Sequence, residues 1–159
     1  MAKHRGFYDS EHHDNNLILQ WNKTVSKKDL TFILGDVTME KKEHYPLLEQ
    51  MNGRKVVVMG NHDLPKHSRE LLNYVDEVAG MIDYKGCALT HCPIHPAEIS
   101  FYRLNIHAHI HENKLQEIEY LSRYGDPGEI VEKTLHKYKC VDAHLIGYRP
   151  KSIEELLNS

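Results

Sequence analysis

Two short apolar segments, each closed by a glycine and polar residues, constrain the fold of this chain more than any other feature. The segment 30–34 (LTFIL) is followed by Gly35-Asp36, and the segment 55–59 (KVVVM) is followed by 60–63 (GNHD). Continuous apolar runs of this kind are typical of buried parallel strands. The segment 45–51 between them fits a helix. The order strand, helix, strand predicts parallel pairing with a right-handed crossover.

The remaining elements complete an α/β pattern. A helix is predicted over 11–25, with Asp9 or Ser10 as its N-cap, and a capping box at Ser152 predicts a terminal helix. We expect the second half to be more antiparallel, with a hairpin turn at Lys85-Gly86. Its predicted strands are 81–84, 87–90, 103–107 and 140–146, and its predicted helices are 112–124 and 129–138. At 159 residues the chain is predicted to form one domain over 1–159.

Composition excludes several classes of protein. No apolar run approaches the ~18 residues of a membrane helix, and the first residues lack the apolar core of a secretory signal, so we predict a cytoplasmic protein without a membrane partner. With a net charge of −3, the chain is not expected to have a broad basic face that binds long nucleic acid. A local basic groove is compatible with this net charge, so a nuclease role stays open. The cysteines show no C-x-x-C spacing, and we interpret Cys87, Cys92 and Cys140 as reduced, buried thiols.

Residues able to bind metal follow four of the predicted strands. The chain has 13 histidines, and imidazole is the commonest metal ligand in proteins. Ligands of open α/β sheets bind outside the carboxyl ends of the strands. The candidates at these ends are Asp36, Asn61, His62, His91, His109 and His111. Any one histidine alone is more often a surface or hydrogen-bonded core residue, but four strand ends together favour a metal site.

Two further points about the ligands stay open from the residues alone. If 105–111 (NIHAHIH) is one continuous strand, His107, His109 and His111 share a face. If the chain turns at Ala108, His109 and His111 diverge and reach two neighbouring ions. Cys92 beside His91 is also able to ligate as a thiolate, but the oxygen and imidazole surroundings favour a buried thiol.

The order of these motifs resembles that of the calcineurin-like metallophosphoesterases, whose pattern runs D-x-H, G-D, G-N-H-D/E, H and G-H-x-H. The matching residues are Gly35-Asp36, 60–63, His91 and 108–111. The resemblance implies two packed mixed β-sheets flanked by helices, a four-layer sandwich. It also implies that Asp36 bridges two divalent ions. In the family pattern Asn61, His91 and His109 complete the shell of one ion, His111 serves the other, and His62 faces the substrate, steadied by Asp63.

This sequence departs from the family pattern at two places. Ala108 stands where the family has the glycine of G-H-x-H, a change of one methyl group. The initial strand and its D-x-H motif are absent, and we expect them to lie upstream of Met1 unless the chain has truly diverged. Asp36 and His111 alone then serve the second ion. Ligand counting therefore predicts about one tightly bound ion in this chain.

The chemistry expected from the resemblance is phosphoester hydrolysis. We predict a metal-dependent phosphoesterase that cleaves a phosphodiester or phosphomonoester with a metal-activated hydroxide, His62 acting as acid. Mixed nitrogen and oxygen ligands indicate Mn, Fe, Ni or Zn. The low net charge favours a small phosphoester substrate such as a nucleotide. The alternative is a degenerate one-metal member that acts as a nucleotide-binding or protein-interaction module.

Overall fold

The computed structural model describes residues 6–113, 115 and 135–159. These residues form an α/β fold with two sheets, one of three strands and one of four. The strands are β1 (Leu30–Ile33), β2 (Arg54–Val58), β3 (Glu77–Ala79), β4 (Ile82–Tyr84), β5 (Cys87–Leu89), β6 (Leu104–His107) and β7 (Tyr138–Cys140). The α-helices are α1 (Ser10–Thr24), α2 (Ser68–Leu71) and α3 (Ile153–Leu157), and 3-10 helices span Lys42–Gln50, Pro65–His67, Ile99–Phe101 and Leu135–Lys137. Over the described ranges, no helix has the length and apolar character needed to span a bilayer.

The first sheet has the order β1-β2-β3 and is parallel throughout, so the expectation that both sheets are mixed is wrong for this one. Leu30 of β1 lies opposite Arg54 of β2, which confirms the predicted parallel pair. The connection between them is the 3-10 helix Lys42–Gln50, which contains Pro46. Proline lacks a backbone N–H, and a 3-10 geometry suits a short connection that contains one. β3 was not predicted, because its residues, one charged and two small and apolar, do not form a continuous apolar run.

The second sheet has the order β4-β5-β6-β7 and is mixed. β4 and β5 form the predicted antiparallel hairpin, whose turn residues Lys85 and Gly86 both have positive φ. The expectation of a more antiparallel region is wrong for the rest, since β6 runs parallel to both β5 and β7. The chain between β5 and β6 returns to the starting edge of the sheet before β6 begins, which gives both strands the same direction.

The last strand lies earlier in the chain than predicted. β7 ends at Cys140, and the predicted strand 140–146 is a series of turns in which the amide of Ile146 donates to the carbonyl of Asp142. Most of the predicted helices 112–124 and 129–138 lies outside the described residues. The predicted helix ends are confirmed at both termini: Asp9 accepts from His12 N at 2.8 Å, and Ser152 forms a capping box with Glu155.

Alternate residues of β2 bury into two different clusters. Val57 packs with Trp21 of α1, and Val58 packs with Leu89 and Ile106 of the second sheet. Successive strand residues point to opposite faces, so the first sheet is covered by α1 on one side and by the second sheet on the other. α3 contributes partly buried apolar residues to the cluster between the sheets. The packing brings the carboxyl ends of β1, β2, β5 and β6 to one region.

Candidate metal centre

Four loops, two from each sheet, supply the polar side chains of the candidate site. Asp36 follows β1 and Asn61 follows β2 in the parallel sheet, whereas His91 follows β5 and His109 follows β6 in the mixed sheet. β2, β5 and β6 are mainly buried, whereas β1 is half-buried with Leu30 exposed, so the expectation of a buried strand is wrong for β1. Each loop begins where its strand ends, so the strand packing sets where the loop starts. The site therefore lies at the junction of the two sheets, outside the carboxyl ends of their strands.

His91 is the centre of this group. It is only 5% exposed, and its Nδ1 lies 2.7 Å from the carbonyl oxygen of Leu34. A carbonyl oxygen only accepts hydrogen bonds, so Nδ1 carries the proton and donates it. The lone pair of a neutral His91 ring is therefore on Nε2, on the side that faces the other candidate ligands.

The atoms that surround His91 Nε2 also carry lone pairs. Asn61 Oδ1 lies 2.9 Å from it, His109 Nδ1 lies 3.0 Å from it, and Asp36 Oδ2 lies 3.4 Å from it. Two of these three neighbours are oxygens that only accept. Converging acceptors repel one another unless a cation or a proton lies between them. Imidazole nitrogen, amide oxygen and carboxylate oxygen together form a donor set that fits a divalent transition metal.

Backbone strain is concentrated in the same loops. Asp36 has a φ of 54°, His109 a φ of 70° and His111 a φ of 53°, values that are uncommon for residues other than glycine. The chain leaves the strand geometry after His107, so it adopts the turning arrangement and not the continuous strand. Strained positions of this kind cluster at functional sites, where the surrounding structure holds them in place.

Two glycines leave room for the ligands. A Cβ atom on Gly35 would lie 2.6 Å from both Gly60 N and His91 Nδ1, and one on Gly60 would collide with the Asp36 carboxylate. The two loops therefore pass against each other with no side chain between them. The G-D and G-N-H-D motifs need their glycines because the His91 ring and Asp36 occupy the space that a side chain would take.

Asp63 joins these two loops through the backbone. It is buried, and its carboxylate accepts hydrogen bonds from Asp36 N at 2.7 Å, Gly60 N at 2.8 Å and Val37 N at 2.9 Å. These hydrogen bonds fix the loop that carries Asp36. Toward His62, the Asp63 carboxylate contributes by its charge, which helps to raise the pKa of that ring.

The partner of His62 is Glu40. Glu40 Oε1 lies 3.0 Å from His62 Nδ1, and this hydrogen bond raises the pKa of His62 above its ordinary value, with burial opposing the shift and Asp36 adding to it. The His62 side chain is 37% exposed, so its ring reaches solvent. Sequence patterns do not indicate Glu40, because it lies in a turn with positive φ and belongs to none of the motifs that follow the strands.

The two other histidines of segment 105–111 have partners other than the His91 ring. His111 is exposed and donates its backbone N–H to Asp142 Oδ2 at 2.7 Å, with its ring Nδ1 3.5 Å from the same oxygen. His107 is buried, and its Nδ1 lies 2.9 Å from the carbonyl oxygen of Ala108. Burial lowers the pKa of His107, which favours a neutral packing residue. Of the predicted metal residues, Asp36, Asn61, His91 and His109 come together.

Cys92 differs from its predicted state. Cys87 is buried and Cys140 is half-buried, but Cys92 is exposed, so the interpretation of Cys92 as a buried thiol is wrong. The segment after β5 turns outward at this residue. Ligand atoms of His91, Cys92 and His109 lie within 4.8 Å of one another, so these three residues form a group able to hold a metal ion.

Comparison with known proteins finds several chains that are similar to this one. An uncharacterized protein of Methanocaldococcus jannaschii is 30% identical over 155 residues, which cover 94% of this chain and 76% of that protein. The Gene 66 protein of Mycobacterium phage L5 is 38% identical over 61 residues, 36% of this chain and 30% of its own length. A protein of unknown function from Aquifex aeolicus, known from its crystal structure, is similar with a TM-score of 0.60 and 27% identity, over 90% of this chain and 82% of that one. No family model matches the chain.

Proposed function

We propose that this chain, which belongs to the same family as the uncharacterized Methanocaldococcus jannaschii protein, is a metal-dependent phosphoesterase of the calcineurin-like type. We also propose that its two sheets and flanking helices form a four-layer sandwich. The observation that carries it is the convergence of Asn61 Oδ1, His109 Nδ1 and Asp36 Oδ2 on His91 Nε2, all within 3.4 Å. With the lone pairs of both ring nitrogens turned to this point, the four groups form an arrangement that a metal ion would stabilise.

Asp36, Asn61, His91 and His109 would hold the ion, with His111 as the ligand of a weaker second site. Bound divalent ions supply Lewis acidity and an activated water for attack on phosphorus. Phosphoryl oxygens are themselves good ligands of divalent ions, so an ion held here would take up the phosphoryl group of a small phosphodiester or phosphomonoester, for example a nucleotide.

His62 is the proposed general acid. Its Nδ1 side is occupied by Glu40, so the ring presents Nε2 to the leaving group. The raised pKa keeps His62 protonated at a higher pH than a free histidine, which suits proton donation near neutrality. Asp63 contributes indirectly, because it fixes the backbone of the Asp36 loop.

Metal binding is the first test of this proposal. We expect the purified chain, stripped with a chelator, to bind about one Mn²⁺ or Zn²⁺ tightly by calorimetry. The variant His109→Gly should lose at least about tenfold in affinity, because it removes one ligand. Glycine is chosen since His109 has a φ of 70°, which alanine would tolerate poorly. The exposed His95→Ala serves as control and should bind like the wild type. Equal affinity in all three proteins would contradict the proposed ligand set.

Hydrolysis is the second test. The metal-loaded chain should cleave bis(p-nitrophenyl) phosphate or p-nitrophenyl phosphate, and Asp36→Asn should lower the rate by ~10²-fold or more. Asparagine tolerates the positive φ of this position and keeps the shape of the side chain. A chain that binds metal and a nucleotide but cleaves neither substrate would instead support the degenerate binding module.

A further inference from the structure

Cys92 lies at the edge of the candidate metal centre without a role in the ligand set proposed above. It directly follows His91, and its side chain is exposed whereas His91 is buried. The thiol therefore approaches the group of ligands from the solvent side. The ligand atoms of His91, Cys92 and His109 lie within 4.8 Å of one another.

The backbone at Cys92 is held in place by buried polar residues. Thr90 Oγ1 donates to the carbonyl oxygen of Cys92 at 2.6 Å, and Asn105 Nδ2 donates to Thr90 Oγ1 at 2.8 Å. Asn105 is fully buried in β6 and also accepts from Ile94 N at 3.0 Å. Both sides of Cys92 are thus tied to the strand that precedes His109, so the thiol stays beside the ligands.

We propose that Cys92 is a further ligand, as thiolate, of the ion held by Asp36, Asn61, His91 and His109, and that it makes this site select thiophilic ions. The inference rests on the proposed metal site. Zinc bonds to sulfur at about 2.3 Å and to nitrogen at about 2.0 Å, so ligand atoms of one ion lie roughly 3.5 Å apart. The ligand atoms of His91, Cys92 and His109 now lie within 4.8 Å of one another, so reaching that spacing needs a side-chain movement of about 1 Å. An exposed cysteine side chain permits such a movement. Binding exchanges the thiol proton for the ion, and the proton passes to solvent.

The consequence is a preference among metals. Soft thiolate ligands favour Zn²⁺ and Co²⁺, whereas Mn²⁺ and Mg²⁺ prefer carboxylate, carbonyl and water oxygens. The serine variant replaces sulfur with a hard hydroxyl of similar shape. Cys92→Ser should therefore lower the affinity for Zn²⁺ by at least about tenfold and leave the affinity for Mn²⁺ nearly unchanged.

Cobalt spectroscopy of the full chain tests the ligand directly. The stripped wild-type protein with one equivalent of Co²⁺ should show visible d–d bands together with a near-ultraviolet thiolate-to-cobalt charge-transfer band. Cys92→Ser should keep the visible bands and lose the charge-transfer band. Cys140→Ser should keep both, since Cys140 lies beside Asp142 and outside this group.

Each other result has a defined meaning. Visible bands without a charge-transfer band in the wild type, or an unchanged band in Cys92→Ser, would overturn the role of Cys92 and leave the proposed metal site intact. A band that disappears in Cys140→Ser but not in Cys92→Ser would overturn it in the same way. Failure of the wild type to bind Co²⁺, Zn²⁺ or Mn²⁺ would reject the metal site itself, and this inference with it.

Discussion

Two carboxylates near His62 have separate structural roles. Asp63, its neighbour in the sequence, accepts three backbone hydrogen bonds and is buried. Glu40, which precedes it by 22 positions, contacts the His62 ring at 3.0 Å. Asp63 thus positions the Asp36 loop, and Glu40 positions the proposed acid. A substitution of Asp63 should therefore change metal binding, whereas a substitution of Glu40 should change proton donation.

The Glu40→Gln variant should alter proton donation without removing metal. The carboxylate raises the pKa of His62, so the neutral amide should let that pKa fall toward its ordinary value. A general acid is active while protonated, and activity is lost as the pH rises through its pKa. The basic limb of the pH–rate profile should consequently move to lower pH in Glu40→Gln, with metal content unchanged. The rate near neutrality should fall roughly tenfold for esters with poor leaving groups.

Leaving-group dependence and a second variant provide the controls. Nitrophenyl esters need little protonation, so their rates should change less than those of phenyl or alkyl esters. Glu43→Gln alters an exposed glutamate of the same region and should leave the profile where it is. An equal loss on both types of ester, or an unmoved basic limb, would contradict the assignment of His62 as the acid positioned by Glu40.

Single residues show what the sequence could and could not indicate. Asp36, Asn61, His91 and His109 were predictable because each follows a recognisable strand in a motif of fixed spacing. The direction of the Asp63 side chain depends on the turn in which its N–H donates to Gly60 O at 3.2 Å, and sequence adjacency to His62 does not indicate it. The exposure of Cys92 depends on where the chain turns after β5.

At the scale of elements, the close passage of the β1 and β2 loops is the feature most sensitive to substitution. The φ of Gly60 is one that other residues also adopt. A Cβ atom added at this position, however, would lie 2.6 Å from Asp36 N and 2.8 Å from His91 Cε1. These neighbours are backbone and a buried ring, and neither moves easily. Gly80 follows β3 and has nothing within 4 Å of an added Cβ. Gly60 and Gly80 therefore allow the same substitution to be compared at a crowded and at an open position.

We expect Gly60→Ala to separate the two loops and displace Asp36 from His91. Overpacking of this kind costs about 1–3 kcal/mol of unfolding free energy. Metal affinity should fall by at least about tenfold as the ligands lose their geometry. Gly80→Ala should change neither property, as measured by urea unfolding and calorimetry. Comparable behaviour of the two variants would show that the loops have room to adjust.

Elements defined by local sequence were predicted better than their arrangement. α1, α3, β1, β2 and the β4–β5 hairpin carry caps, turns or apolar runs that act within a few residues. The direction of β6 relative to β5 depends on the path of the intervening chain, which leaves no periodic signal. β7 was misplaced because the apolar residues after Cys140 belong to turns that pack near the site, and their pattern resembles a strand.

At the scale of the whole molecule, the proposed ligands join the two sheets. Asp36 and Asn61 come from the parallel sheet, and His91 and His109 come from the mixed sheet. A bound ion would therefore bridge elements that otherwise meet through the apolar cluster around Val58 and Leu89. Ligands that bind the folded state alone stabilise it by mass action. Metal should consequently act on the stability of the entire fold.

Thermal unfolding measures this effect. Metal at a hundredfold excess over its dissociation constant should add ~2.7 kcal/mol to the unfolding free energy and raise the midpoint by about 5–10 °C. The same metal concentration should raise the midpoint of His109→Gly by much less. One transition for the whole chain would agree with the predicted single domain. A rise of equal size in both proteins would place the stabilising ion elsewhere.

The buried carboxylate of Asp63 also bears on the speed of metal uptake. Its three hydrogen bonds hold the Asp36 and Gly60 loops together through the protein's own groups. An arriving ion then has no loop to order, and the entropy cost of assembling that side of the site has been met during folding. Entry is limited instead by how fast the ion releases its own water. Slowly exchanging Ni²⁺ would load more slowly than Zn²⁺, whichever of the two is held more tightly at equilibrium.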